Sequence, residues 1–370
     1  MRVQRYGVRI ALLTYSTRPR GSVVHTLSLA EALAHLGQQV TVHGLGRSGD
    51  MAFFRPLDPR VRTVVTPLPD QPEEDLDAKV GRSIAVLGAA FDTGTYDVVH
   101  AQDCIAANAV DARCLRTVHH LETFTTPALV RCHERAVLEP PVLICVSRQV
   151  AEEVRTTHGR TATVVANGVD AERFAAVDPQ LRQRWRDRLG GDPLVVTVGG
   201  IEPRKGSRDL IEALALLGPG ARLAVGGGET LFDHRAYRAE VDALVAELGV
   251  DVRILGPLAQ DEVPPIVACA DVFALPSVKE GFGLAALEAL AAGVPVVLRD
   301  LPVFREVFGD TVRYAQDPPS LAAALSAAPL DPEPGRGLAR SLTWERAAVA
   351  HLAVYRNLAL MRGNAMVTQG

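Results

Sequence analysis

Short runs of apolar, mostly β-branched residues alternate with stretches of helical periodicity along most of the chain. The runs of the N-terminal half cover 8–13, 40–43, 61–65, 98–101, 142–146 and 163–165. Between the first two runs, apolar side chains from Leu27 to Leu36 recur on one helical face, and Gly37 stands where a C-cap glycine is expected. The alternation predicts a parallel sheet with crossover helices.

The same pattern restarts after Asp170, which indicates a second sheet. Its apolar runs cover 194–198, 223–225, 252–255, 272–275, 294–298 and 312–314. A chain of 370 residues exceeds the size at which one core keeps growing. We therefore predict an α/β protein with an N-terminal domain over 1–170, a C-terminal domain over 171–342 and a closing helix within 343–370. That helix is indicated by the spacing of Ala347, Ala350, Val354, Leu358 and Met361.

Composition narrows the class of function. A net charge of −4 and an isoelectric point near 6.2 argue against a nucleic-acid partner, which requires clustered basic residues. The first apolar run is too short for a signal peptide or a membrane span. Five cysteines without a CxxC pair indicate neither a disulfide framework nor a zinc site. We expect a cytoplasmic protein with a small-molecule substrate and no integral membrane segment.

The stretch 276–297 has the order strand, glycine loop, helix, strand. Gly281 and Gly283 flank Phe282, and backbone N–H groups at the start of the following helix suit a diphosphate or a sugar. Glu280 precedes this loop and Glu288 lies further along the helix, so both carboxylates are expected at the carboxyl edge of the sheet. The alternative is that both glutamates are solvated surface charges.

A second loop, over 199–206, directly follows the predicted strand 194–198. It begins with Gly199 and Gly200 and carries Arg204 and Lys205. Cationic side chains neutralise the charge that develops on a leaving diphosphate, and they do so without a metal. The alternative interpretation is an ordinary basic loop.

Two further candidates lie in the N-terminal domain. Gly21 belongs to the loop between the first strand and the first helix, where a missing Cβ permits close approach of a ligand. His119 follows Thr117 and Val118 and precedes His120 and Glu122. A structural histidine at a strand end is one alternative, and a metal site is another, although no third spaced ligand is evident. The literal Asp75-x-Asp77 is better explained by a helix N-terminus, which favours acids.

The segment EGFGLAALEALAAGVPVV resembles the E-x7-E signature of the retaining family 4 glycosyltransferases. Further matches include the NGVD turn at 167–170 and the Thr343-Trp344 start of the last helix, and their spacing holds from Gly21 to Trp344. The resemblance implies the GT-B architecture, in which two Rossmann-like, doubly wound domains face each other across a cleft. It also implies that the last helix crosses back to the N-terminal domain.

The resemblance assigns roles to the candidate residues. Glu280 would hydrogen-bond hydroxyls of the donor sugar, Glu288 would hold the ribose diol, and His119 would face the reacting sugar. Lys205 and Arg204 would contact the diphosphate; many relatives carry an arginine where this chain has Gly200. The remaining residues expected at the donor are Gly21, Gly199, Gly256, Gly281, Phe282, Gly283 and Leu284.

These features predict a metal-independent, retaining transferase that moves a hexose-type sugar from a nucleoside diphosphate sugar. UDP-sugar is the default donor and no cofactor is expected. The acceptor, whether a small molecule, a glycan or a lipid, and the oligomeric state stay open. The alternatives are a nucleotide-sugar 2-epimerase, a phosphorylase and a non-catalytic nucleotide-sugar binding protein. A dinucleotide dehydrogenase is disfavoured because no G-x-G-x-x-G follows the first strand.

Overall fold

The chain forms two compact units. The structure, a computed structural model, describes residues 7–71, 73–110, 114–124, 126–228 and 235–367, with the backbone alone over 359–367. Unit 1 comprises Met1–Asn167 together with Trp344–Gly370, and unit 2 comprises Gly168–Thr343. The chain therefore leaves unit 1 after Asn167 and returns to it at Trp344. The side chain of Met361, a predicted member of the apolar face of the last helix, lies outside the described residues.

Unit 1 contains a parallel sheet of seven strands in the order β3-β2-β1-β4-β5-β6-β7. The strands are β1 Arg9–Leu13, β2 Gln39–Arg47, β3 Val61–Leu68, β4 Val98–Ala101, β5 Leu115–Val118, β6 Val142–Cys145 and β7 Thr163–Val164. The helices that unit 1 takes from the first part of the chain are α1 Gly21–His35, α2 Leu76–Ala89, α3 Cys104–Ala109, α4 Pro127–Leu138 and α5 Arg148–His158. Six of the strands were predicted, while the short β5 was not.

Helices cover both faces of the unit 1 sheet. Helix α15, Trp344–Val367, packs on α1, and its Leu352 and Tyr355 enter the core with Leu12 of β1 and Leu27 of α1. The other face is covered by α2, α3 and α4. Apolar burial therefore fixes α15 in unit 1, because its buried side chains complete that core.

Unit 2 contains a parallel sheet of six strands in the order β10-β9-β8-β11-β12-β13. The strands are β8 Leu194–Val198, β9 Arg222–Gly226, β10 Asp251–Gly256, β11 Val272–Leu275, β12 Val296–Arg299 and β13 Arg313–Ala315. The helices are α6 Ala171–Ala175, α7 Pro179–Leu189, α8 Ser207–Leu217, α9 Arg235–Leu248, α10 Val263–Ala268, α11 Leu284–Ala291, α12 Pro302–Phe308, α13 Pro318–Ser326 and α14 Pro332–Ser341.

Both sheets have the strand order of a doubly wound, Rossmann-like fold. In unit 1 the order reverses between β1 and β4, and in unit 2 between β8 and β11. Ligands of such sheets bind at the carboxyl ends of the strands at this switch point. The α/β prediction is confirmed, and the loops after β8 and β11 become the first places to look for a site. Within the described part of the chain, no helix combines the length and apolarity that a membrane span requires.

The Asp75-x-Asp77 motif begins α2, as predicted. The Asp75 carboxylate accepts a hydrogen bond of 2.8 Å from the Ala78 N–H and so caps the helix. Ser147 caps α5 in the same way, by accepting from the Val150 N–H at 3.2 Å. Both motifs therefore have a structural role in unit 1.

Gly206, which joins the loop after β8 to α8, is expected to be intolerant of substitution. Its φ is +68°, and an added Cβ would lie 2.2 Å from the Pro276 carbonyl oxygen. Gly249 is a matched control, with φ +62° and no atom within 4 Å of its Cβ. Gly249→Ala should lower the free energy of unfolding by about 1 kcal/mol and Gly206→Ala by about 3 kcal/mol or more, measured by urea denaturation. Equal losses of stability in the two variants would mean that the backbone near Pro276 shifts to accommodate the added Cβ at no energetic cost.

Candidate active site

Glycines hold the ends of three neighbouring strands of unit 2 close together. The Gly199 N–H donates to the Gly226 carbonyl at 2.7 Å, and the Gly227 N–H donates to the Gly256 carbonyl at 2.8 Å. A Cβ on Gly227 would lie 2.6 Å from the Gly199 carbonyl carbon. A side chain on Gly227 would prevent this approach, and Gly199 and Gly256 shape the carboxyl edge of the sheet through their backbone hydrogen bonds.

Three charged side chains meet at the switch point of unit 2. Lys205 Nζ donates a short hydrogen bond to Glu280 Oε1, and an Arg204 guanidinium nitrogen lies 3.5 Å from the same oxygen. Arg204 also contacts Glu202 Oε2 at 3.1 Å, and the side chain of Glu202 is only 9% exposed. The loop after β8 and the loop after β11 therefore bring two cations and a carboxylate into one cluster, which we call the switch-point cluster.

Backbone contacts fix the two loops that carry this cluster. The Val278 N–H donates to the Arg204 carbonyl at 2.8 Å. The Arg299 guanidinium donates to the Pro276 carbonyl at 3.2 Å and forms an ion pair with Asp209 of α8. A charged group held between a carbonyl and a carboxylate orders both segments, so the cluster is preorganised.

The predicted glycine loop leads from Glu280 into α11. The Gly281 N–H lies 3.3 Å from Glu280 Oε2, and the Phe282 side chain is buried. Gly283 is the N-cap of α11 with φ +101°, and its Cβ would lie 2.9 Å from the Phe304 ring. Leu284 is the first residue of α11. The loop therefore has both features expected of a backbone anion or sugar site, a helix N-terminus and a left-handed glycine.

Glu288 lies in the second turn of α11 and is half-buried. Burial raises the pKa of its carboxyl to about 7, and Arg173 of α6 opposes this shift. The carboxyl therefore changes its charge near neutral pH, unlike an ordinary glutamate.

This shift predicts a pH-dependent stability. Because the pKa of Glu288 is higher in the folded state than in the unfolded state, its contribution is complete at acid pH and is lost as pH rises through 7. Glu288→Gln should raise the free energy of unfolding by about 2 kcal/mol at pH 8 and leave it unchanged at pH 4. Urea titrations at both pH values measure this. Glu247→Gln, on an exposed part of α9, should show no such difference, and a pH-independent effect of Glu288→Gln would contradict the assignment.

His119 lies at the carboxyl end of β5 in unit 1. The ring is half-buried, its Nε2 makes no hydrogen bond within the described part of the chain, and it meets the ring of His25 edge-on at 4.8 Å. Burial lowers the pKa of His119 to about 3, with further lowering by His120 and Arg116. The imidazole is therefore neutral near pH 7. His120 instead pairs with Glu122 at 2.5 Å.

Gly21 is the exposed first residue of α1, and no atom lies within 4 Å of where its Cβ would be. Packing within unit 1 does not require a glycine there. The loop before it is fixed by Asp103, whose Oδ2 accepts the Tyr15 N–H at 2.8 Å. That Gly21 admits a ligand stays a prediction.

Several supporting residues carried no clear sequence signal. Glu202 and Arg299 hold the switch-point cluster, yet a single charge in a loop looks solvated in sequence. His25 is fully buried, and its Nδ1 lies 2.8 Å from Asn167 Oδ1, which orients the ring that meets His119. Because the two residues of that bond lie 142 positions apart, periodicity alone does not reveal it.

The chain matches two family models. Residues 19–173 match the model described as Glycosyltransferase Family 4, and residues 180–334 match the model described as Glycosyl transferases group 1. The matches follow one another and together cover most of the chain. The charged switch-point cluster lies within the second match.

Similar curated proteins cover nearly the whole chain. A D-inositol 3-phosphate glycosyltransferase of Xylanimonas cellulosilytica is 29% identical, over 94% of this chain and 96% of its own length. A protein of the same name from Streptomyces bingchenggensis is also 29% identical, over 98% of this chain and 91% of its own.

Solved structures share the fold. Sucrose-phosphate synthase from Thermosynechococcus elongatus has a TM-score of 0.77 at 22% identity, over 95% of this chain and 99% of that one. Anabaena HepE, in a complex with UDP-glucose, has a TM-score of 0.69 at 20% identity, over 97% of this chain and 100% of that one. At these identities the likeness establishes the architecture alone, and it confirms the predicted fold class.

Proposed function

Because this chain belongs to the glycosyltransferases of group 1 and family 4, we propose that it moves a hexose-type sugar from a nucleoside diphosphate sugar, UDP-sugar by default, with retention and without a metal. The observation that carries this proposal is the switch-point cluster. Lys205 and Arg204 supply two positive charges beside a glycine loop and a helix N-terminus. A diphosphate needs these groups, and its charge grows as the sugar leaves.

Each charged residue has a distinct role in this proposal. Lys205 and Arg204 bind the diphosphate oxygens and stabilise the leaving group. Glu280, which neutralises both cations, accepts hydrogen bonds from hydroxyls of the donor sugar and orients the anomeric carbon. Glu288 accepts from the ribose hydroxyls when it is ionised. The backbone of Gly281 and Gly283 lines the sugar.

Retention follows if the acceptor attacks from the face that the diphosphate leaves. The leaving oxygen takes the proton of the acceptor hydroxyl, so the protein supplies orientation and charge stabilisation. His119, neutral at pH 7, is suited to a hydrogen bond with the sugar rather than to charge stabilisation. A double displacement would instead require a carboxylate nucleophile close to the anomeric carbon.

The acceptor is the least constrained component. The two similar proteins described above are named for transfer to D-inositol 3-phosphate. A phosphorylated polyol is therefore the first small molecule to test, before glycan and lipid acceptors. The family assignment favours transfer over the 2-epimerase, phosphorylase and binding-only alternatives.

The test combines binding with product analysis. Nucleoside diphosphates and their sugars are screened by thermal shift and calorimetry, since specific ligands stabilise the folded chain by mass action. The donor that binds is then incubated with D-inositol 3-phosphate and other acceptors, and the anomeric configuration of the product is determined by NMR. We expect one nucleotide sugar to bind and its configuration to be retained. Binding of NAD or pyridoxal phosphate alone, or an inverted product, would contradict the proposal.

A further inference from the structure

Two guanidinium groups of unit 1 meet at one tyrosine ring. The Arg20 Nη1 donates to the Tyr15 hydroxyl at 2.7 Å, and the Arg20 Cζ lies 5.5 Å from the centre of the ring. The Arg47 Cζ lies 5.6 Å from the same centre. At these distances the ring attracts both cations. Arg20 and Arg47 therefore lie close together, and we call them the arginine pair.

The arginine pair has no counter-charge in contact with it. Both side chains are half-buried, and neither forms an ion pair with a carboxylate in the described part of the chain. Arg47 Nη2 donates instead to the Ser83 hydroxyl at 3.2 Å. The Nε atoms of Arg20 and Arg47 are enclosed and make no hydrogen bond, whereas Arg20 Nη2 and Arg47 Nη1 are not enclosed in this way. Two like charges held together in this manner are costly unless an anion joins them.

The carboxylates nearest in the sequence of interactions are engaged by other groups. Asp70 accepts a hydrogen bond of 2.5 Å from the Ser48 hydroxyl and lies 3.5 Å from the Lys79 ammonium. Asp103 accepts two backbone N–H groups, both at 2.8 Å. Burial lowers the pKa of Arg47, the other arginine of the pair lowers it further, and Asp70 and Asp103 oppose the shift electrostatically. These carboxylates therefore compensate the arginine pair without contacting it.

The arginine pair lies at the carboxyl edge of the unit 1 sheet. Tyr15 and Arg20 belong to the loop after β1, and Arg47 is the last residue of the neighbouring parallel strand β2. Helix α1 begins directly after Arg20 without a side-chain cap, so its N-terminus adds positive potential at this edge. His119 follows β5 at the same edge. Because ligands of a doubly wound sheet bind at this edge, the arginine pair is placed to contact a ligand of unit 1.

We propose that the arginine pair is an anion subsite for the acceptor, which binds a phosphate ester carried by the acceptor and so selects a charged acceptor over a neutral one. This inference rests on the proposed function, which assigns the diphosphate of the donor to Lys205 and Arg204 of unit 2. Unit 1 has its own cations, and a second anion is needed to neutralise them. Two guanidinium groups suit a phosphate ester, because its terminal oxygens accept several charge-assisted hydrogen bonds at once.

The first test measures binding without turnover, on the full chain. Inorganic phosphate and D-inositol 3-phosphate are titrated by calorimetry, and myo-inositol is the uncharged comparison. Wild type should bind both phosphates. Arg20→Gln and Arg47→Gln should each weaken that binding by about tenfold or more, because each variant loses a charge-assisted hydrogen bond. The nucleoside diphosphate should bind both variants within about threefold of the wild type.

Arg18→Gln is the matched control for these variants. Arg18 belongs to the same loop, but it is exposed and pairs with Asp50 at 3.1 Å. Its replacement should change phosphate affinity by about threefold at most. A wild type that binds neither phosphate would overturn the proposal, and so would an unchanged phosphate affinity in Arg20→Gln and Arg47→Gln. An equal loss of diphosphate affinity would assign the arginine pair to the donor and would also overturn it.

A measurement on the wild type covers the case in which a glutamine variant fails to fold. Phenylglyoxal modifies accessible guanidinium groups, and peptide mass spectrometry locates the modified residues. Phosphate should protect Arg20 and Arg47 and leave the modification of Arg18 unchanged. Equal protection of all three arginines would indicate general screening by the added salt and would contradict a defined site.

The second test separates two sources of the phosphate, a soluble ester and a lipid head group. With the donor known, transfer is measured to D-inositol 3-phosphate and to phosphatidylcholine vesicles with and without phosphatidylinositol. With whichever phosphate ester reacts, Arg47→Gln should raise KM by about tenfold or more and change kcat by about threefold at most. An unchanged KM would overturn the subsite. Phosphate binding by the arginine pair without transfer to any acceptor would contradict the proposed function and not the anion site.

Discussion

Lys205→Ala is expected to lower kcat/KM by about 10³-fold and to weaken nucleoside diphosphate binding by about tenfold or more. Lys205 Nζ is the group most closely paired with Glu280, and it projects from a loop that backbone contacts hold in place. Its removal leaves the developing charge of the leaving group with Arg204 as the one remaining cation of the switch-point cluster. Steady-state kinetics and calorimetry with the donor found above measure both effects.

Lys279→Ala is the matched control for this prediction. Lys279 has the same charge and belongs to the loop that carries Glu280, but it takes no part in the switch-point cluster. Its replacement should change kcat/KM by about threefold at most. Similar losses in the two variants would show that the general charge of the loop matters rather than the contact made by Lys205. Turnover like that of the wild type in Lys205→Ala would remove Lys205 from the site.

Glu280→Ala is expected to lower kcat/KM by about 10³-fold while nucleoside diphosphate affinity stays within about tenfold of the wild type. The reason is that Glu280 is assigned to the sugar, whereas the phosphates are assigned to its cationic partners. Removing the carboxylate also releases both cations from their ion pairs. The variant should therefore bind the diphosphate and fail to orient the sugar. Kinetics and calorimetry with the free diphosphate separate the two effects.

Glu240→Ala, on the exposed surface of α9, is the matched control and should retain the kcat/KM and the nucleoside diphosphate affinity of the wild type. A different result for Glu280→Ala is equally informative. If that variant loses diphosphate affinity as severely as Lys205→Ala, Glu280 acts by holding Lys205 and Arg204 in place, and another group must orient the sugar.

Most of the fold was predictable because burial imposes a pattern on the sequence. Buried strands made mainly of apolar residues, such as Val98–Ala101 and Val272–Leu275, were located to the residue. The strand Leu115–Val118 was not predicted, because Arg116 and Thr117 interrupt its apolar run. Helices α13 and α14 begin with prolines in a stretch rich in alanine and glycine, whose apolar periodicity is weak. The capping box of Asp317 and Ser320 was the available signal for α13.

The candidate site, like the fold, was predictable from the sequence only in part. Site residues that lie within one loop can be recognised from their spacing in the sequence. The family resemblance assigns roles to these glycines, glutamates and cationic side chains. The contact between Lys205 and Glu280 joins residues 75 positions apart, so it depends on the strand order rather than on any local pattern.

The return of the chain to unit 1 at Trp344 has a consequence for synthesis. The contiguous residues of unit 2 are complete once position 343 has been translated, whereas the core of unit 1 still lacks Leu352, Tyr355 and Leu358. The Nδ1 of His100 on β4 likewise lacks its partner until Tyr355 has been translated, because it lies 2.8 Å from the Tyr355 hydroxyl in the folded unit. On the ribosome the usual order is therefore reversed: the domain that is begun first is the one that is finished last, and its exposed apolar face needs protection in the interval.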